Sequence, residues 1–254
     1  MVFIIRICEQ EVITTSMNLA VIFAGGSGKR MHAKDRPKQF LFIHGKPIIV
    51  HTIEIFNSHP EIDGIVVVCI REWIPYMEEL KYTFRLDKIA SIVPGGETGQ
   101  MSIYNGLAEA ARLYGREGNV VLIHDGVRPL IDADLITANI RSVEKYGSSI
   151  SCGPVSETVV LVSDTEQVQE VVNRNNSRVA KAPQGFWLQD VLSVEERAIS
   201  EGLTNMIDTC TLMRHYGKDL AIVNCGADNV KITTPEDFFM FRAVADAREN
   251  DQLM

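Results

Sequence analysis

The sequence predicts an α/β fold: a doubly wound, mostly parallel sheet that carries a protruding β-arm. Short β-branched runs alternate with longer amphipathic segments, a pattern typical of helices packed on both faces of a parallel sheet. The chain has 254 residues, of which 46% are hydrophobic, and this is enough for one large core. After Pro154 the alternation gives way to two β-rich runs, which predict the arm.

The strands are predicted from the short β-branched runs, and the helices from the amphipathic segments between them. Proline suits the first turn of a helix and aspartate caps one, so Pro47 and Asp132 mark two helix starts. The predicted strands are Leu19–Ala24, Gly64–Ile70, Ile89–Val93, Asn119–His124 and Ser149–Gly153. The predicted helices are Pro47–Asn57, Ile74–Phe84, Gln100–Tyr114 and Asp132–Tyr146.

The arm is predicted over Val155–Asn173, where two β-rich runs flank the polar stretch Ser163–Gln167 and form a hairpin. An isolated hairpin is marginally stable in water, so something must cover it, and a second copy of the chain would do so. The alternative is an ordinary hairpin. After it, the chain returns through Leu188–Glu201, Met206–Tyr216 and a strand at Leu220–Asn224 to a final helix from Pro235.

The domain organisation follows from the position of the first strand. Met17 stands just before that strand, so residues 17–254 are expected to form a single domain. For the same reason, residues 1–16 are interpreted as an N-terminal extension with no part in the fold. They are not interpreted as a signal peptide, because polar residues interrupt their apolar run and no small-residue cleavage site follows.

Composition excludes several classes of partner. The net charge of −8, from 25 basic and 33 acidic residues, argues against nucleic acid. No apolar run approaches the ~18–20 residues that cross a bilayer, so no membrane partner is expected. The five scattered cysteines form no C-x-x-C pair, which favours a reducing, cytoplasmic setting.

A glycine-rich loop follows the first predicted strand and carries Gly25, Gly26 and Gly28. Glycines at the carboxyl end of a strand let backbone N–H groups surround a phosphate. The loop fits neither the dinucleotide fingerprint nor the P-loop, but it brings its own cations, Arg30 and, just beyond it, Lys38. The alternative is a βα turn whose basic side chains face water.

These residues resemble a known family, the CTP-dependent cytidylyltransferases that act on polyol phosphates such as 2-C-methyl-D-erythritol 4-phosphate and ribitol 5-phosphate. The resemblance implies a Rossmann-like nucleotidyltransferase fold and an enzyme that joins a polyol phosphate to the α-phosphorus of CTP and releases pyrophosphate. The matching blocks are Ala24-Gly25-Gly26-Ser27-Gly28-Lys29-Arg30-Met31, Pro37-Lys38-Gln39, Gly95-Gly96 with Ser102, His124-Asp125-Gly126-Val127-Arg128-Pro129, Arg174-Asn175, Pro183-Gln184 and Asn229 to Asp237.

The resemblance also implies a role for each residue of the predicted site. The catalytic cations are Arg30, Lys38 and Lys231, which would lie against the triphosphate. The nucleotide-binding residues are Ala24, Gly25, Gly26, Gly28, Gly95, Gly96, Ser102 and Asp125. The acceptor-binding residues are Arg128, Thr158 and Arg174, of which Thr158 and Arg174 would reach across a homodimer through the β-arm. The expected cofactor is Mg²⁺.

Three of these residues have alternative roles on sequence alone. Asp125 ends an apolar strand, at the sheet edge where open α/β sheets bind ligands, so it could order Mg²⁺ or hold a hydroxyl. Asp125 and Arg128 could instead form an ion pair that only stabilises the turn before Pro129. Lys231 could be a solvated surface lysine. His124 is interpreted as a structural residue of the core.

The sequence departs from the family at three positions. Gly99 replaces an arginine on the base side, where Gln100 could substitute, and Ala182 and Ile207 each remove a threonine hydroxyl from the acceptor side. Two lost hydroxyls should broaden acceptor use. Two other functions stay open: a nucleotidyltransferase for another sugar phosphate, and a nucleotide-binding regulatory protein without catalysis.

Overall fold

The central sheet has seven strands in a computed structural model that describes residues 16–24 and 36–249. The strands are β1 (Asn18–Ala24), β2 (Phe42–Ile43), β3 (Lys46–Pro47), β4 (Gly64–Cys69), β5 (Ile89–Pro94), β6 (Val120–Asp125), β7 (Ser148–Pro154), β8 (Val160–Val162), β9 (Val168–Val171), β10 (Arg178–Trp187) and β11 (Ile222–Asn224). The sheet order is β11-β7-β10-β6-β1-β4-β5, and only β10 runs antiparallel to its neighbours. The mostly parallel sheet is thereby confirmed.

Helices cover both faces of this sheet. They are α1 (Ile48–Ser58), α2 (Ile74–Thr83), α3 (Gly99–Tyr114), α4 (Ala133–Tyr146), α5 (Leu188–Ser200), α6 (Thr209–His215) and α7 (Pro235–Glu249). Alternate residues of β1 enter two different cores: Ile22 packs with α1, α2 and α4, and Val21 with α3, α5 and α6. A strand buried on both sides reads as a continuous apolar run, so the doubly wound prediction is confirmed.

The predicted helix starts agree with the structure. Pro47 lies immediately before α1, and the Asp132 carboxylate accepts a hydrogen bond of 2.8 Å from the backbone N–H of Leu135 at the start of α4. Gly147 ends α4 in the left-handed region, with φ of 79°, where glycine is not strained.

Strand β10 is the strand of the central sheet that the sequence analysis missed. It contains Pro183 and Gly185, two residues that ordinarily argue against a central strand. The register against β7 shifts between Ala180 and Gln184, so the proline lies in an irregular segment where no regular ladder bond is required. At Gly185 a side chain would come within 2.8 Å of the Leu122 side chain, so glycine lets β10 pack there.

The predicted arm is present as a separate two-stranded sheet, β8 and β9, joined through a turn at residues 163–167. Its large apolar side chains are exposed rather than packed on the main sheet. They include Val160, Leu161, Val162, Val168 and Val171. An exposed apolar surface of this kind is what we expect of a hairpin that a second copy of the chain covers.

The interpretation of residues 1–16 as an extension falls almost wholly outside the described residues, as does the glycine-rich loop at residues 25–35. Within the described part of the chain, no helix combines the length and the apolar character needed to cross a membrane.

Candidate active site at the carboxyl edge of the sheet

A cleft of about 290 Å³ opens where β1, β6 and β10 meet the start of α3. This is the edge of the sheet at which ligands bind in open α/β folds. The residues that line it are Phe23, Gly99, Ile103, Ile123, Asp125, Arg128, Ala180, Lys181, Ala182, Gln184, Ile207, Asp208, Thr209 and Lys231.

Asp125 is the charged centre of the cleft. One of its carboxylate oxygens accepts a bond of 2.5 Å from the Lys231 ammonium, and the other accepts a bond of 2.7 Å from Nε of Arg128. The Asp125 side chain is only 7% exposed. Burial acts to raise its pKa, but the two adjacent cations outweigh burial and hold the pKa below its usual value. Asp125 is therefore ionised at neutral pH and holds both cations in place.

The two cations differ in exposure. The Arg128 side chain is 11% exposed and also donates from its guanidinium to the Asn229 carbonyl oxygen, at 3.1 Å. The Lys231 side chain is 40% exposed, and its ammonium lies 5.8 Å from the ring centre of Phe23. The Asp125–Arg128 ion pair stabilises the turn after β6, and both residues also line the cleft. A structural role and a ligand-binding role for this pair are therefore compatible.

Lys38 reaches the same region from a different part of the chain. Its ammonium donates a hydrogen bond of 2.7 Å to the backbone oxygen of Ile232, the residue after Lys231. The neighbouring Gln39 donates to the carbonyl oxygen of Ala24, at 2.6 Å, and ties this segment to the end of β1. Ala24, Lys38 and Lys231, predicted from separate parts of the sequence, thus lie together.

Four predicted residues, Gly25, Gly26, Gly28 and Arg30, lie outside the described residues. The strand that precedes them ends at the cleft, since Phe23 lines it. Their assignment to the nucleotide stays a prediction.

Gly95 and Gly96 lie against Ser102, and Gly96 is hydrogen-bonded to it. The Ser102 hydroxyl donates to the Thr98 carbonyl oxygen at 2.8 Å and accepts from the N–H of Gly96 at 3.0 Å. A side chain at position 96 would come within 2.5 Å of Met101 Cβ, so the loop requires glycine there. Ser102 shapes this loop, and its contact with a base stays a prediction.

Gln100 does not take the place of the arginine that Gly99 replaces. Its amide nitrogen donates to Glu195 at 3.0 Å and to the Leu203 carbonyl oxygen at 2.9 Å, and its amide oxygen accepts from the N–H of Met206 at 2.8 Å. The side chain is buried and fully hydrogen-bonded below the cleft. Burial also raises the pKa of Glu195 to about 7, although the bond from Gln100 opposes this shift.

All three departures from the family line the cleft: Gly99, Ala182 and Ile207. Around Gly99 there is open space among the described residues, since beyond its chain neighbours and its own helix no heavy atom lies within 4 Å of the position that a Cβ would occupy. Ile207 is 90% exposed and presents an apolar side chain at the rim. The sequence analysis did not single out Lys181 or Asp208, although these two residues directly adjoin two of the departures.

Thr158 and Arg174 lie apart from the cleft of their own chain. Thr158 is exposed in the segment leading into β8. Arg174 is exposed too, donates to the Ser156 carbonyl oxygen at 3.1 Å, and lines a separate cavity of about 420 Å³ beside the arm. A role for either residue in the same chain's cleft does not follow from this arrangement.

His124 lies behind the cleft and is fully buried. Burial lowers its pKa to about 4, so the ring is neutral at pH 7. Its Nε2 atom lies 3.2 Å from the backbone oxygen of Arg128, on the turn that carries the arginine. Its burial and this contact support the interpretation of His124 as structural.

Asp125 does not fit direct coordination of a metal ion in this arrangement, because both of its oxygens are bonded to cations. The described residues also contain no group of three or more histidine, cysteine, aspartate or glutamate side chains that could hold a metal. No step of the chemistry is therefore assigned to a metal held by the protein.

Comparison with known proteins places the chain in a family. Residues 18–246 match the family described as IspD, 2-C-methyl-D-erythritol 4-phosphate cytidylyltransferase. A ribitol-5-phosphate cytidylyltransferase from Streptococcus agalactiae is 56% identical over 237 residues, which cover 93% of this chain and 99% of that protein. A 2-C-methyl-D-erythritol 4-phosphate cytidylyltransferase from Clostridium botulinum is 34% identical, over 89% of this chain and 96% of its own length.

A solved structure agrees with these relatives. The 2-C-methyl-D-erythritol 4-phosphate cytidylyltransferase of Francisella tularensis superposes with a TM-score of 0.74 at 27% identity, covering 90% of this chain and 99% of that one. The shared sheet edge, the matching sequence and the superposition agree with one another, and the chain belongs to the IspD family of cytidylyltransferases.

Proposed function

We propose that this protein joins CTP to a polyol phosphate, ribitol 5-phosphate or 2-C-methyl-D-erythritol 4-phosphate, and so makes a CDP-polyol and pyrophosphate. The observation that carries the proposal is the group of cations at the carboxyl edge of the sheet. Lys231 and Arg128 are held by Asp125, and Lys38 is bonded to the residue next to Lys231. Family membership supplies the nucleotide and the class of acceptor.

The proposed reaction needs positioning and charge more than covalent chemistry. A phosphate oxygen of the acceptor attacks the α-phosphorus of CTP, the bond from that phosphorus to the bridging oxygen breaks, and pyrophosphate leaves with the electron pair. Lys38 and Lys231, together with Arg30, offset the negative charge on the pentavalent phosphorus and the leaving group. Arg128 grips the acceptor's phosphate with its planar fork.

The acceptor that we favour is ribitol 5-phosphate. The Streptococcus agalactiae relative, at 56% identity, carries that substrate in its name. In the cleft, Ala182 and Ile207 offer no hydroxyl to a polyol, so hydrogen bonds specific to methylerythritol are missing at these two positions. A site that merely tolerates a hydroxyl discriminates weakly.

Pyrophosphate release from CTP with a panel of polyol and sugar phosphates tests the function. We expect turnover of ribitol 5-phosphate at least equal to that of methylerythritol 4-phosphate, and the pair Ala182→Thr with Ile207→Thr should shift the ratio toward the latter. Strict use of methylerythritol 4-phosphate would contradict the acceptor. Thermal protection by CTP without any release would indicate a binding protein, and preference for another nucleoside triphosphate would indicate another nucleotidyltransferase.

Mg²⁺ is proposed to reach the site on the triphosphate, as part of the substrate. The carboxylate of Asp125 is already paired with two cations and would meet such an ion through water at most. Activity should vanish in EDTA and return with added Mg²⁺, because the metal neutralises the triphosphate. Full pyrophosphate release in the chelator would contradict this part of the proposal.

We also propose that the protein is a homodimer in the cytoplasm and that the arm of each chain completes its partner's cleft. The apolar side chains of β8 and β9 are exposed in the single chain, and Thr158 and Arg174 do not line their own cleft. The cytoplasm suits CTP as a substrate, and the four described cysteines, at positions 69, 152, 210 and 225, form no disulfide.

A further inference from the structure

Asn229 connects two walls of the cleft without lining it. Its side chain is buried, at 2% exposure, and its amide nitrogen donates a hydrogen bond of 2.7 Å to the backbone oxygen of Ala182, in the irregular segment of β10. Its own backbone oxygen accepts the bond of 3.1 Å from the Arg128 guanidinium. Ala182 and Arg128 both line the cleft, whereas Asn229 does not. One buried residue therefore joins β10 to the turn that follows β6.

The contact with Asn229 fixes the orientation of the Arg128 guanidinium. Nε of Arg128 is bonded to Asp125, three residues away on the same turn, and Nη1 is bonded to Asn229 on a distant segment. The guanidinium carries its five N–H donors in one rigid plane, so two fixed contacts set the direction of the others. Within the described part of the chain Nη2 makes no hydrogen bond, which leaves its two N–H groups for the phosphate of the acceptor.

Lys231 lies two residues beyond Asn229, but other contacts hold it. Its ammonium is bonded to Asp125. The next residue, Ile232, donates from its N–H to the Val127 carbonyl oxygen at 2.9 Å. Neither bond involves the asparagine. A change at Asn229 should therefore displace the guanidinium of the turn, while the lysine assigned to the triphosphate keeps its place.

The side chain of Asn229 contributes little to stability for a buried amide. Its amide oxygen is buried and accepts no hydrogen bond from the described residues, and a buried amide with one unpaired atom stabilises a fold less than a fully bonded one. Asn139 in α4 is the contrast: it is fully buried, its amide nitrogen donates to the Leu135 carbonyl oxygen, and both ends of its amide are bonded to the Ser151 hydroxyl. The one bond that the Asn229 side chain makes is the bond to β10.

We propose that Asn229 is a positioning residue that sets the place of Arg128 relative to β10 and thereby the affinity for the polyol phosphate; this inference rests on the proposed function. A planar guanidinium binds phosphate well only when its N–H groups are correctly aimed, and a site is precise only when neighbouring residues lock its side chains. The bond to Ala182 holds the segment whose carbonyl oxygen receives the guanidinium. Asn229 therefore fixes the spacing between the two walls of the cleft.

Replacing Asn229 with leucine, which has nearly the same size and no donor, tests the inference. The KM for ribitol 5-phosphate should rise about 5–20-fold, which is less than the cost of about 10–100-fold for losing a hydrogen bond to a charged group outright. The KM for CTP should change by less than about twofold. Asn139→Leu is the matched control. It should lower the melting temperature more than Asn229→Leu does, because it breaks a fully bonded amide, and leave both KM values unchanged.

A double-mutant cycle shows whether Asn229 acts through Arg128. In Arg128→Met, which lacks the guanidinium, adding Asn229→Leu should raise the KM for ribitol 5-phosphate by less than about twofold further. Effects of the two changes that simply multiply would contradict the inference. An unchanged KM in Asn229→Leu, with only a lower melting temperature, would contradict it as well. Asn229→Ser, whose hydroxyl is one atom closer to the backbone than the amide nitrogen, should behave like Asn229→Leu and replaces it if the leucine variant does not fold.

Calorimetric binding of ribitol 5-phosphate, with a non-hydrolysable CTP analogue present, separates this inference from the proposed function. No pyrophosphate release by the unaltered protein with any polyol phosphate would contradict the function. Binding tests the inference without turnover: Asn229→Leu should bind ribitol 5-phosphate about 5–20-fold more weakly than the unaltered protein, by the same loss of alignment. Equal affinity of the two proteins would contradict the inference alone and would mean that Asn229 only joins its segment to β10.

Discussion

Replacing Lys231 with methionine is expected to lower the turnover of CTP by about 100–1,000-fold and to leave the fold intact. A preorganised group that faces developing charge is typically worth this much in rate. The Lys231 side chain is 40% exposed, and Asp125 keeps its bond to Arg128 when the lysine is removed, so no buried charge is left unpaired. Pyrophosphate release under saturating substrates measures the effect, and circular dichroism checks the fold.

Two comparisons make this result specific to position 231. Lys231→Arg keeps the charge and should retain more activity than Lys231→Met. Lys145→Met removes an exposed lysine at the end of α4, outside the cleft, and should turn over CTP like the unaltered protein. Near-normal turnover by Lys231→Met, with an unchanged circular dichroism spectrum, would show that Lys231 is a solvated lysine that takes no part in the reaction.

Arg174→Ala and Lys38→Ala should each be nearly inactive as homodimers, yet a mixture of the two should regain up to about a quarter of the unaltered activity. Random pairing makes half of the dimers mixed, and each mixed dimer has one pocket with both residues intact. The expectation follows from geometry, because Lys38 lies beside the cleft of its own chain and Arg174 lies beside the arm.

The matched control mixes Lys38→Ala with Lys231→Met. Lys231 lines the cleft and Lys38 lies beside the cleft of the same chain, so every dimer of this mixture has two damaged pockets and no activity should return. Subunit exchange is verified with differently tagged chains. If the Arg174 mixture also stays inactive after exchange, then Arg174 serves its own chain or has only a structural role, and the shared site is wrong.

The fold was predictable wherever local pattern and tertiary environment agree. β1, β4 and β6 are short, apolar and buried, so pattern alone identifies them. β10 could not be recognised, because Pro183 and Gly185 are acceptable there only through a register shift and a close packing contact that form in the folded sheet. Local propensity carries no information about either.

The sequence predicted which residues belong to the site, but it did not predict which of them contact one another. Resemblance to a family singles out Asp125, Arg128 and Lys231, but their mutual ion pairs depend on how distant segments meet. Gln100 shows the converse. In the sequence, Gln100 follows Gly99, which replaces the arginine of the family, and Gln100 could therefore take over the arginine's role. In the structure, its amide is hydrogen-bonded to Glu195, Leu203 and Met206 instead.

The buried contact between Gln100 and Glu195 has a consequence for proton uptake. With its pKa raised to about 7 by burial, the Glu195 carboxyl binds a proton on folding over a range of pH in which an unfolded glutamate is ionised. The stability that this carboxyl contributes is present in full below its ordinary value of 4.5 and is lost as the pH rises through about 7. The helix start at Gly99, beside the cleft, is thus anchored by a group that favours the mildly acidic side of neutrality.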